Sequence, residues 1–111
     1  TIISVWKTGA PIEVSESVIN GVRTSRERLE NLIGSQAQAV YGVNTGFGSL
    51  CDQIISDRDL ENLQYNLVRS HACGTGAPVS EELTRLVMIL KILSLSKGNS
   101  AVRPDTLNFL V

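Results

Sequence analysis

The sequence has two cysteines, a single histidine and no apolar run long enough to cross a bilayer. Cys51 and Cys73 form no C-x-x-C pair, and neither has a His or Cys close by in sequence to complete a zinc site, so no metal is expected. They are expected to be buried free thiols of a cytosolic protein. The longest apolar stretch, Leu86 to Leu90, stops at Lys91, and the run on to Leu95 is too short and interrupted for a membrane span. No basic segment followed by an apolar core and a small-residue cleavage site opens the chain, which makes a cytoplasmic address the expectation. Ten Lys and Arg against eleven Asp and Glu leave a net charge of −1, without long runs of either sign. That balance argues against nucleic acid and membrane surfaces as partners. Several catalytic signatures are also missing. Gly42-x-x-x-Gly46-x-Gly48 lacks the Lys and Ser/Thr of a P-loop and the spacing of a dinucleotide fingerprint, and neither H-E-x-x-H nor G-x-S-x-G occurs.

What remains is a helix-rich pattern in which 42% of 111 residues are apolar, enough to build a core without crosslinks. Ile2-Ile3-Ser4-Val5-Trp6 is β-branched and aromatic, and Lys7 to Pro11 supplies turn chemistry before Ile12-Glu13-Val14. This predicts a short hairpin or strand pair. Ser15 or Ser17 can cap a helix carrying Val18, Val22, Leu29, Leu32 and Ile33 near one face, with Gly34 placed to end it. Val40 to Gly48 holds three glycines in nine residues and predicts a glycine-rich loop. Ser56-Asp57-Arg58-Asp59 approximates a capping box for a helix to about Ala72, on which Leu60, Leu63, Gln64, Leu67 and His71 share a stripe. After the break at Gly74 to Pro78, Ser80 with Glu81 and Glu82 starts a helix that is apolar on nearly every side, closed by Lys97 and Gly98. Arg103-Pro104-Asp105 predicts the start of one more.

The chain begins at Thr1 and ends in an apolar stretch, Leu107 to Val111, with a helix under way. Residues 1–111 are therefore expected to be one piece, with no internal boundary, of a larger helical body. The predicted fold class is mainly α, with a short β element at the start and a glycine-rich loop.

Three features could carry chemistry: Tyr41 at the lip of the glycine segment, the polar pair Asn44-Thr45, and His71 on an apolar helix face. Taken alone, such a tyrosine is more often a packed aromatic and such a histidine a satisfied core residue. Context alters that, because glycines let backbone approach a ligand and adopt φ > 0, so a side chain beside them can be presented to a cavity.

Tyr41-Gly42-Val43-Asn44-Thr45-Gly46-Phe47-Gly48 resembles the glycine-rich loop near the N-terminus of the aromatic amino-acid ammonia-lyases and their related aminomutases. Leu63 to Gly76 resembles a second block of that family and Leu90 to Ser100 a third, so the similarity covers about residues 10–111. The resemblance implies elimination of ammonia from an aromatic amino acid by an electrophilic methylidene-imidazolone (MIO) group formed from an internal Ala-Ser-Gly. No Ala-Ser-Gly occurs in residues 1–111, so these residues alone are expected to lack the cofactor and to be inactive.

The same resemblance implies roles for individual residues. Tyr41 matches the tyrosine assigned to proton transfer at the substrate β-carbon; a phenol ordinarily titrates near ~10, so that role needs assistance from neighbouring donors or positive charge. His71 matches the histidine of the Ser-His pair that faces the substrate ring in histidine ammonia-lyases, with Ser70 beside it. Asn44 and Gly48 complete the implied substrate-binding set. Tyrosine-selective relatives usually carry His-Leu at positions 70 and 71 and phenylalanine-selective ones Phe-Leu, so Ser70-His71 favours histidine. Some aminomutases also carry Ser-His here, together with a string like Ser100-Ala101-Val102-Arg103-Pro104, which keeps a tyrosine or phenylalanine lyase or an aminomutase as the alternative. The family is typically homotetrameric, and residues 1–111 alone are expected to self-associate through apolar faces. Family members generally have further residues before this start, and Cys73 stands where alanine is common.

Overall fold

A computed structural model describes residues 1–34 and 39–111. Five α-helices are present among them: α1 (Ile2–Thr8), α2 (Glu16–Gly34), α3 (Asp57–His71), α4 (Glu81–Leu95) and α5 (Pro104–Leu110). The described residues contain no β-strand, only an isolated antiparallel bridge between Thr45 and Ile54.

The expected β element at the start is therefore corrected to a helix. Two local caps account for it. The Thr1 hydroxyl accepts the N–H of Ser4 at 3.3 Å, and Gly9 closes the helix in the left-handed region at φ 66°, its N–H reaching the Val5 carbonyl at 2.9 Å. The turn chemistry of Lys7 to Pro11 is real, but it serves a helix C-terminus. Packing then outweighs the β preference of Ile2, Ile3 and Val5. The Trp6 indole Nε1 donates to the Glu82 carbonyl at 2.8 Å, and Arg85 donates to the Trp6 carbonyl at 3.3 Å, fastening α1 to the start of α4.

The chain divides into two compact units, Thr1–Asn31 with Pro78–Val111, and Leu32–Ala77. The core of the first consists of Val22 from α2, Ile92 and Leu95 from α4, and Leu107 from α5, flanked by Ile12, Val14, Val18, Ile19, Val102 and Leu110. Ile12 and Val14 thus contribute to the core from a segment outside any helix or strand. The Ser15 carbonyl accepts the Ile19 N–H at 3.2 Å, which opens α2 at the first of the two candidate serines. Ser80 caps α4 as its sequence implies, accepting the Leu83 N–H at 3.3 Å. Pro104 occupies the first turn of α5.

Only one side of α4 is covered. Ile89, Ile92 and Leu95 are buried, while Leu83, Val87, Met88, Leu90 and Leu93 stay exposed. The cysteines do not follow their expected burial, for Cys51 is half-buried and Cys73 exposed. Among the described residues no helix is long and apolar enough to cross a membrane, and no group of three or more His, Cys, Asp or Glu side chains is placed to hold a metal ion.

Candidate functional site

The second unit contains every residue that the sequence nominates for chemistry. Its glycine-rich part is a succession of turns, a single 3-10 turn at Gly48–Leu50, and the Thr45–Ile54 bridge. Polar bonds hold this segment closed. The Asn44 side-chain oxygen accepts the Val40 N–H at 2.7 Å, while its backbone carbonyl accepts the Ile55 N–H at 2.8 Å. Thr45 is fully buried; its Oγ1 accepts the Gly42 N–H at 3.3 Å and donates to the Gly46 carbonyl at 3.0 Å. Gly46 in turn donates to the Gln53 carbonyl at 3.1 Å.

Two glycine positions have steric reasons. Gly42 lies at φ 74°, a conformation that L side chains rarely adopt, and it follows Tyr41 directly. At Gly46 the obstacle is contact, because a Cβ would run into Leu50. The outcome is a closed loop with Tyr41 at its rim, 65% exposed, its ring edge-on to Phe47 at a centroid distance of 6.0 Å. Gly48, at φ 59°, is exposed at the start of the 3-10 turn, and its carbonyl accepts the Cys51 N–H at 3.2 Å.

The remaining candidates end α3. The Ser56 hydroxyl donates to the Asp59 carboxylate at 2.7 Å and makes no side-chain bond to the helix backbone, so the expected capping box forms only as a side-chain pair. Leu60, Leu63 and Leu67 form a half-buried stripe, as their spacing predicts. His71 departs from that stripe. It is exposed, and its ring folds back on its own helix, with Nδ1 at 2.9 Å from both the Leu67 carbonyl oxygen and the Ser70 hydroxyl oxygen. At the last helical residue no following turn presses the side chain onto the apolar face. Two residues before His71, the Arg69 guanidinium stands over the Tyr65 ring, 5.8 Å from its centroid.

Tyr41, Ser70 and His71 are thus all accessible, whereas Asn44 is buried with its side-chain oxygen engaged inside the loop. Among the described residues, no hydrogen bond joins Tyr41 or Gly48 to Ser70 or His71. A feature that sequence reading missed lies in the first unit, where Thr24, Ser25, Arg28, Ser96, Lys97 and Asn99 line part of an open polar groove of about 520 Å³. Its residues come from two distant stretches, and no local motif signals it.

The chain matches the family model described as aromatic amino acid lyase over residues 1–111. It belongs to the aromatic amino acid lyase family. Within that family it is 40% identical over 110 residues to a protein named histidine ammonia-lyase from Streptococcus pyogenes serotype M5, strain Manfredo, which covers 99% of this chain and 21% of that protein. A histidine ammonia-lyase from Alkaliphilus oremlandii is 42% identical over 110 residues, 99% of this chain and 22% of the relative. Among solved structures, tyrosine aminomutase from Streptomyces globisporus superposes with a TM-score of 0.88 at 34% identity, over 99% of this chain and 21% of its own. Pantoea agglomerans phenylalanine aminomutase gives a TM-score of 0.89 at 30% identity, over 98% and 21%. The chain spans about a fifth of the length of these lyase-family relatives.

Proposed function

We propose that the protein carrying this chain is a histidine ammonia-lyase, eliminating ammonia from L-histidine to give urocanate. The observation that carries the reading is the Ser70-His71 pair at the exposed end of α3, an imidazole able to exchange a directional hydrogen bond with another imidazole. The 40–42% identity to proteins named histidine ammonia-lyase supports it. In this reading Tyr41 exchanges the proton at the substrate β-carbon, and Asn44 and Gly48 shape the loop that meets the amino acid. The accessible phenol of Tyr41, next to the left-handed Gly42 and in a T-shaped pair with Phe47, supports that role.

The methylidene-imidazolone group would supply the electrophile that activates the substrate for loss of ammonia. It forms from Ala-Ser-Gly, a tripeptide that residues 1–111 do not contain, so these residues do not build the group themselves and are inactive alone. A homotetramer in the cytoplasm with active sites shared between subunits completes the reading. The exposed apolar side chains of α4 and Phe109, 94% exposed, support assembly of this segment with further chain, or its self-association when isolated.

The test is substrate profiling of the longest natural gene product that includes residues 1–111. Urocanate formed from L-histidine, followed by its ultraviolet absorbance, is the expected result. Activity confined to tyrosine or phenylalanine, or formation of β-amino acids, would replace this reading with the aminomutase or tyrosine/phenylalanine lyase alternative, a possibility kept open by the two aminomutase structural neighbours.

A further inference from the structure

Three atoms at the end of α3 form a closed triangle. His71 Nδ1 lies 2.9 Å from the Leu67 carbonyl oxygen and 2.9 Å from Ser70 Oγ, and Ser70 Oγ donates to the same carbonyl at 2.9 Å. A carbonyl oxygen has no proton to give, so its contact with Nδ1 is a hydrogen bond only when Nδ1 carries the proton. The single hydroxyl proton of Ser70 is also committed to that carbonyl, so the serine turns a lone pair toward the ring. Both neighbours of Nδ1 are acceptors. The opposite tautomer would set a nitrogen lone pair against the carbonyl at 2.9 Å, and rotating the hydroxyl to relieve Nδ1 would break the Ser70 to Leu67 bond.

We infer that Ser70 is a positioning residue which, with the Leu67 carbonyl, holds neutral His71 as its Nδ1–H tautomer and so presents Nε2 as a hydrogen-bond acceptor. Nε2 has no hydrogen-bond partner among the described residues, and His71 is exposed. Serine in place of the Phe or His expected in other relatives then acts on the orientation and proton placement of its neighbour. Taken with the lyase reading, on which this one consequence rests, the site selects a ring that offers an N–H donor and leaves a bare phenyl ring without a partner.

The chain lends itself to a direct test because His71 is its single histidine, so an imidazole-15N-labelled sample gives one ring spin system. Two-bond proton–nitrogen correlation at about pH 9, well above the ~6.5 at which an ordinary imidazole titrates, reads the neutral tautomer without any catalytic activity. The expected result is a majority Nδ1–H form in the wild type. Ser70→Ala should lower the Nδ1–H to Nε2–H ratio about threefold or more, the order of one net hydrogen bond. Ser70→Thr, which keeps the hydroxyl, should retain the wild-type ratio. A majority Nε2–H form in the wild type, an unchanged ratio in Ser70→Ala, or an equal loss in both variants would overturn the inference. Failure of the lyase reading leaves this measurement intact, so the two can fail separately.

Discussion

Gly46 packs so closely on Leu50 that a Cβ at position 46 would meet the Leu50 Cβ at 2.6 Å and its carbonyl oxygen at 2.8 Å. The second contact is with backbone, which cannot swing aside as a side chain can. Gly46→Ala is therefore expected to open the 3-10 turn and to cost about 1–3 kcal/mol, the usual penalty of forced overpacking. Limited proteolysis between Val40 and Ile55 would detect it, and an unchanged cleavage rate would contradict the close approach.

Thr45 tests the polar closure of the same loop. Thr45→Val keeps the shape of the buried side chain but leaves the half-buried Gly42 N–H and the Gly46 carbonyl without their shared partner. The expected loss is about 1–3 kcal/mol, measured as faster amide exchange at Gly42 and its neighbours. Thr45→Ser, which retains the hydroxyl, should recover most of it.

In the first unit Leu107 is fully buried among Val22, Ile92 and Leu95. Leu107→Ala should cost about 2–5 kcal/mol in a urea titration, through lost transfer energy and the cavity left behind. Phe109→Ala, two residues on and 94% exposed, should change the stability of the isolated chain by no more than about 0.5 kcal/mol.

Gly21 offers a change in the other direction. It lies inside α2, and a Cβ built there meets nothing within 4 Å. Gly21→Ala is expected to raise stability by about 0.5–1 kcal/mol, since alanine surrenders less backbone freedom on entering a helix. A lower midpoint in urea would show that the position is needed bare for another reason.

Tyr41 carries the catalytic prediction. On the proposed reading, Tyr41→Phe in the full-length protein should lower kcat by about 10²–10⁴-fold, the range for loss of a positioned proton-transfer group. With the residue 65% exposed, unfolding should not follow, and circular dichroism of the variant should match the parent. A variant with kcat within a few-fold of the parent would remove Tyr41 from the chemistry.

Much of this was legible in the sequence because the signals were local. Ser80 followed by two glutamates, and Pro104 after Arg103, place the starts of α4 and α5 where the structure has them. At the start of the chain a β-branched run points to a strand only when its ends are ignored: Thr1 as a cap and Gly9 as a left-handed stop make Ile2–Thr8 helical. Counting residues per turn puts His71 on an apolar stripe, yet a terminal helical position leaves the ring free to bend back to Leu67. The engagement of Asn44 with Val40, and the polar groove of the first unit, depend on how the backbone turns or on residues far apart in sequence. Neither carries a pattern that could be read along the chain.

Every fully buried hydrophobic side chain among the described residues belongs to the first unit, while the second keeps Asn44 and Thr45 inside. The two bodies should consequently come apart by different routes on heating. The first should melt cooperatively with a pronounced heat-capacity step, as apolar surface becomes hydrated. The second should loosen early and gradually with little calorimetric signature, so that Tyr41 and His71 belong to the softer of the two.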